Sequence, residues 1–228
     1  GPLTIEILDT AGNAVNAYNS NAPATSGGTG GGAPTGDPDA APLQGRGGRG
    51  GGPAARVTRS PGMNRFVWNV QHQSGLSSPP GQYQARIKVD TTTLTQPFNV
   101  LIDPRLAAEG LTAADLREQF EHNLRMRELV ASASQTVARV REAQGKLRGA
   151  AGADAETAKR VEAVAAKLAT EPVRYGKPGL QAHITYLAGM TSGVDQKIGR
   201  DAVERYGVLK KELEAIRAEL DKLLGPGR

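Results

Sequence analysis

The sequence predicts a segregated α+β fold. A small antiparallel β-sandwich is expected over residues 1–103, followed by an antiparallel bundle of three to four helices over 104–228. Three observations carry this. Apolar side chains alternate in twos within short runs before Asp103, and recur in threes and fours after it. Asp103-Pro104 marks the change of period. Between the early strands lies a tract of glycine, proline and small residues that cannot build a core of its own.

The first strand reads from "LTIEIL", with Leu3, Ile5 and Ile7 on one face and Thr4 and Glu6 on the other. "DTAGN" supplies turn chemistry, and "AVNAY" resumes the alternation with Val15 and Ala17, so a hairpin is expected. From about residue 20 to 60 the pattern dissolves into "SGGTGGGAPTGDP" and "GRGGRGGGP". This is read as a disordered insertion within one β domain, tolerable because loop-closure cost rises only logarithmically with length. Order returns at "PGMNRFVWNV", where Phe66, Trp68 and Val70 alternate with Val67 and Asn69 as in a strand. Trp68, the single tryptophan, is expected to fill a core poor in other aromatics rather than to stack on a ligand. "SSPPG" at 77–81 reads as a turn. "QYQARIKV" places Tyr83, Ala85, Ile87 and Val89 inward, and "TLTQPFNVLI" places Phe98, Val100 and Ile102 in phase. Pro97 has no amide to donate, so its strand belongs on an edge or at a bulge.

Beyond Pro104, Thr112 is a fair N-cap with Asp115 three residues on. Leu116, Phe120, Met126, Val130, Ala133, Val137, Val140 and Leu147 then trace one amphipathic helix of about 35 residues, roughly 50 Å long. Gly149 and Gly152 end it. Asp154 caps a shorter helix carrying Val161, Val164 and Leu168, and Pro172 stops that one before the "RYGKPG" loop. Leu180, Ile184, Leu187, Val194 and Ile198 follow. A shifted stripe then runs through Ala202, Tyr206, Leu209, Leu213, Ile216, Leu220 and Leu223. Two helices are preferred here over one kinked helix, with Gly193 and Gly199 at the shift and "DAVE", 201–204, as a cap. Packing within the chain is expected, although the stripes are heptad-like enough for self-association through helices.

Composition narrows the chemistry. There are no cysteines, which excludes disulfides, thiolate catalysis and zinc–sulfur sites. No apolar run approaches the ~20 residues of a membrane span. The net charge of +5 is spread as +1 before residue 104 and +4 after it, a mixed surface and not a basic field. Nucleic acid is therefore not the expected partner. The opening "GPLTIEIL" lies within a strand pattern, and the chain is read as a piece of a longer protein.

"IEILDTAGNAV", "PGMNRFVWNV", "PPGQYQARIKV" and "PFNVLIDPRL" together resemble the Ig-like domain at the carboxyl end of large bacterial BNR-repeat, sortilin-like β-propeller proteins. Members of that family are often labelled glycosyl hydrolases. A similar strand grammar occurs in the Ig-like domain of flagellar hook-cap proteins. "DPRL" leading into "TAADLREQFEHNLRMREL" resembles the family's passage from sandwich to helical tail. The resemblance implies an Ig-like sandwich, an upstream β-propeller in the same polypeptide as partner, and an extracytoplasmic location, periplasmic or secreted. The propeller's Asp-box repeat, Ser-x-Asp-x-Gly-x-Thr-Trp, is absent from the chain.

The reactive residue types do not converge in sequence. His72 falls in a polar turn, and His122 and His183 fall on helices, with no two at ligand spacing. Asp115, Glu118 and Glu121 share a helix with Arg117 and Arg125 in a pattern of solvated i,i+4 pairing. Asp9, Asp103 and Asp195 lie near turns and read as caps. Ser74, Ser77 and Ser78 lack a nucleophile-elbow setting, and the glycine tract lacks a phosphate-binding signature. No catalytic residue, cofactor or metal site is expected. The expected role is a non-catalytic accessory or interaction module. The alternatives are a supporting domain of a glycoside hydrolase whose active site lies elsewhere, and RNA binding through Arg46 and Arg49 of "RGGRGGG".

Overall fold

A computed structural model describes residues 2–21, 57–149, 155–170 and 176–224. The expected disordered insertion (apart from its ends), Arg46, Arg49, the stop at Gly152, the cap at Asp154 and the stop at Pro172 all lie outside these. The described residues form a mixed α+β structure. A four-stranded antiparallel sheet comes first, with β1 (Leu3–Leu8), β2 (Ala14–Asn19), β3 (Gly81–Val89) and β4 (Thr92–Val100). Five helices follow: α1 (Pro104–Ala108), α2 (Ala113–Gly149), α3 (Ala155–Leu168), α4 (Leu180–Ser192) and α5 (Arg200–Leu224). The chain divides into two compact units, Gly1–Phe120 and Glu121–Arg228. The change of sequence period lies earlier, at Asp103, so the first turns of α2 group with the sheet.

In the sheet unit the strand order is β2-β1-β3-β4. The β1–β2 hairpin turns at Asp9, whose carboxylate accepts from the backbone amides of Ala11 and Asn13 at 2.9 and 2.8 Å. Gly12 closes the turn at φ +83°, a conformation that suits a residue without Cβ. β4 is an edge strand, as Pro97 requires. One face of the sheet is polar, with Glu6 bridging Arg86 and Lys88 at 2.7 and 2.9 Å. The other face carries Ile5, Ile7, Val15 and Tyr83, the buried centre of this unit.

The cover of that face departs from the expected strand. Residues 63–69 keep the alternation of burial, with Phe66, Trp68 and Val70 half-buried and Val67 and Asn69 exposed, yet they join no ladder. Side-chain packing holds the segment instead. Trp68 meets Tyr83 and Phe98 edge-on at 5.4 and 5.9 Å between centroids, and Phe66 meets Tyr18 at 4.9 Å. The Trp68 indole N–H donates to the Gln71 carbonyl at 3.1 Å. The turn expected at 77–81 lies earlier: the His72 and Leu76 backbones bond at 2.8 Å, and Gln71 bridges Ser77. This loop also shields the outer edge of β2, the Gln73 amide donating to the Val15 carbonyl at 2.8 Å.

Asp103 caps α1, accepting from the Arg105 amide at 2.9 Å with Pro104 in the first helical turn. The five residues of α1 were too few to show a period in sequence. Thr112 and Asp115 form a reciprocal capping box for α2: the Asp115 amide donates to the Thr112 hydroxyl at 3.1 Å, and the Thr112 amide donates to the Asp115 carboxylate at 3.0 Å. α2 then runs unbroken for 37 residues.

In the helical unit one core joins all the helices. Met126, Ala133, Val137 and Val140 of α2 meet Val161, Val164 and Leu168 of α3, Leu180 and Ile184 of α4, and Leu209, Leu213 and Leu220 of α5. The predicted stripes therefore pack within the chain. α4 and α5 are separate helices, with residues 193–199 non-helical between them. Val194 is exposed and Ile198 buried. The expected cap at Asp201 is displaced: α5 starts at Arg200, and the Gly199 carbonyl accepts the Ala202 amide at 3.1 Å. Glu204 pairs with the side chain of Arg200, the first residue of α5. Gly179 precedes α4 where a Cβ would lie 2.5 Å from the Ala169 carbonyl carbon, so the close approach of the two backbones requires glycine.

Candidate functional site

The histidines lie on three different elements. His72 sits in the loop against the sheet, its ring edge-on to Phe120 at 5.2 Å between centroids. Its Nδ1 accepts the Ser74 amide at 3.0 Å, and the Ser74 hydroxyl lies 2.8 Å from the same nitrogen. That lone pair is engaged in closing the turn, so it is not poised to take the Ser74 proton. Burial holds the His72 imidazole below its ordinary pKa and favours the neutral ring. His122 is buried on α2 with its ring 5.9 Å from that of Tyr206, and His183 is exposed on α4. Among the described residues, no three His, Asp or Glu side chains gather at a metal-binding distance. Ser77 belongs to the bridge with Gln71, and Ser78 is buried with its amide on the Val70 carbonyl.

The acidic cluster on α2 separates by role. Asp115 is committed to the capping box, while Glu118 and Glu121 are exposed. In place of the expected pairing with Glu121, the Arg125 guanidinium lies 5.9 Å from the Tyr206 ring centre. A cation over a half-buried ring competes well with an exposed i,i+4 pair, which contributes only about 0.3–0.5 kcal/mol. The Arg117 guanidinium lies near Gly81 at the start of β3, 3.6 Å from where a Cβ would stand. Asp9 and Asp103 cap turns as expected, and Asp195 is exposed in the α4–α5 connection.

The feature that stands out is a surface. Cross-strand register places Tyr83 opposite Phe98, Ala85 opposite Gln96, and Ile87 opposite Leu94, with Val89 next on the same face. Tyr83 and Phe98 lie under Trp68. Past that cover, Ile87, Val89 and Leu94 are 37%, 39% and 66% exposed, although they continue the core face. The alternation in "QYQARIKV" predicted this face correctly but predicted it buried throughout. Trp68 reaches Tyr83 and Phe98, and the apolar ladder continues past them. The ladder ends on edge strand β4, which offers main-chain groups as well as side chains to an incoming partner.

Sequence reasoning missed a polar row on α2. Gln119, His122, Asn123 and Thr136 are all buried. Positions 119, 122, 123 and 126 follow the i, i+3, i+4, i+7 spacing of a core face, and that spacing was the available signal. Reading only apolar residues hid it.

No family model, no curated protein and no solved structure matches this chain.

Proposed function

We propose that the chain is a non-catalytic accessory and interaction module, carried at the carboxyl end of an exported bacterial β-propeller protein. The observation that carries this reading is the exposed ladder of Ile87, Val89 and Leu94 on the core face of the sheet, ending at edge strand β4. Apolar side chains on a face that is otherwise packed suit protein contact. The upstream polypeptide is the occupant that the sequence resemblance names. The reactive residue types have local tasks: Asp9, Asp103 and Asp115 cap, and His72 closes a turn.

The sheet unit is read as a reduced Ig-like sandwich, with the Phe66–Ser78 segment serving as the second layer. Two features support this. Trp68 covers the sheet centre. The Tyr83 hydroxyl donates to the Pro79 carbonyl four residues upstream at 2.6 Å, in the manner of the tyrosine corner of such domains.

The test is to express the upstream propeller and the 228-residue chain separately, then measure their association and the release of reducing ends from glycans. The module reading expects binding that weakens when Leu94 becomes Lys, and no sugar release by the chain alone. Hydrolysis by the chain alone would overturn it, and so would binding indifferent to Leu94.

A further inference from the structure

α4 is apolar on two faces, and the bundle covers one. Leu180, Ile184 and Thr191 are buried. On the opposite side His183, Tyr186, Gly189, Met190 and Gly193 follow at steps of three and four, the spacing of a helix–helix seam. Tyr186 and Met190 are 71% and 58% exposed, and Val194 extends the strip beyond the helix end at 66%. From Pro178 through Val194 there is no Asp, Glu, Lys or Arg. The outward faces of the neighbouring helices are set with ion pairs such as Glu142–Lys146, Glu156–Arg160 and Lys210–Glu214. Gly189 weakens the middle of the helix, and a Cβ there would meet nothing within 4 Å. Packing within the chain does not call for it. It leaves a notch in the exposed strip beside Met190.

We propose that this face of α4 pairs with the same face of a second copy of the chain, antiparallel about a twofold axis. Charge selects the occupant. A charged partner surface laid on α4 would lose hydration and find no counter-charge from Pro178 to Val194. A face equally free of charge avoids that cost, and among the described helices α4 itself supplies one. Twofold symmetry makes each contact occur twice. With the axis crossing the exposed face at the height of residue 188, Tyr186 of one copy meets Met190 of the other, a ring against a thioether, and His183 faces Gly193. One short helix pair buries on the order of 800 Å² in total, about half of a standard stable interface, so the dimer is weak and concentration-dependent.

Sedimentation velocity of the 228-residue chain from about 10 μM to 1 mM tests this, that range being where small interfaces populate. The expected result is a mass rising from 23.8 kDa toward twice that value. Tyr186→Lys and Met190→Glu should each stay monomeric with unchanged far-UV circular dichroism, since both side chains are exposed. An equimolar mixture of the two should dimerise again, because Lys and Glu then face each other across the axis. A wild type monomeric throughout the range would overturn the proposal. So would dimerisation that survives both substitutions, or a mixture that stays monomeric.

Discussion

Asn123 on α2 donates its side-chain amide to the backbone carbonyl of Thr191, in the last turn of α4, across a buried distance of 3.0 Å. The last carbonyls of a helix lack partners within it. A residue far away in sequence therefore completes the end of α4, shortly before the chain leaves the helix at Gly193. The Thr191 hydroxyl turns back to the Leu187 carbonyl at 3.1 Å, so this corner of the bundle is held by polar groups inside an apolar core.

Removing that donor strands a buried carbonyl. Asn123→Ala is expected to destabilise the helical unit by about 1–3 kcal/mol, the cost of an unsatisfied buried polar group. Urea unfolding followed at 222 nm measures it. A loss below a few tenths of a kcal/mol would mean that water takes over the bond.

Gly179 is the tightest backbone contact described. The Gly179→Ala methyl would lie 2.5–2.7 Å from the Ala169 and Leu168 backbones, and backbone cannot swing aside as a side chain can. A loss of roughly 1–3 kcal/mol is expected, as for other overpacked sites. Thermal unfolding of the variant would show it, and Gly145→Ala is the control, because a Cβ there meets nothing within 4 Å.

Trp68 is the single tryptophan, so its fluorescence reports the sheet unit alone. Trp68→Ala is expected to cost about 2–4 kcal/mol, somewhat under the range for a fully buried aromatic, and Trp68→Phe less than half of that. In the wild type, denaturation followed by Trp68 fluorescence and by helical dichroism should give two separate midpoints, since the compact units have separate cores. Coincident curves would show that they unfold together.

The sheet unit should lose stability toward acid in two stages. Burial lowers the His72 pKa from 6.5, so the unfolded chain binds its proton more readily and stability falls as pH drops below that value. Hydrogen bonds from Arg86 and then Lys88 outweigh burial and hold the Glu6 carboxyl below its ordinary 4.5. For Asp9, burial pushes upward from 3.8, but hydrogen bonds from Asn13, Ala11 and Gly12 together win and lower it. Both acids stabilise the fold above their ordinary values, and that contribution disappears as pH falls through their folded ones. Midpoints read by Trp68 fluorescence from pH 7.5 to 3 check this. His72→Gln should flatten the first stage and leave the second.

Regular periods were legible in the sequence. Strict alternation in Leu3–Ile7 and Tyr83–Val89 marks real strands, and the three-and-four stripe on α2 runs the length of a real helix. Contacts that depend on distant chain were not. Phe66 and Trp68 alternate like a strand because they lie over a sheet, although they join no ladder. Ile87 and Val89 have the right face, but burial depends on how far the cover reaches. At Gly199 the helix start moved by two residues: the Gly199 carbonyl accepts the first helical amide, from Ala202, so Asp201 falls inside the first turn. The surfaces proposed for binding were the least legible, since an exposed Leu94 or Tyr186 follows the same pattern as a buried one.

The division between the two compact units falls inside α2, after Phe120, and not in a loop. Recombination or a protease that separates such units normally works at an irregular joint. Here a clean excision would have to sever a continuous ladder of main-chain bonds, and cutting at Asp103 would strip Phe120 from His72. The pair is therefore expected to travel through evolution as one indivisible cassette.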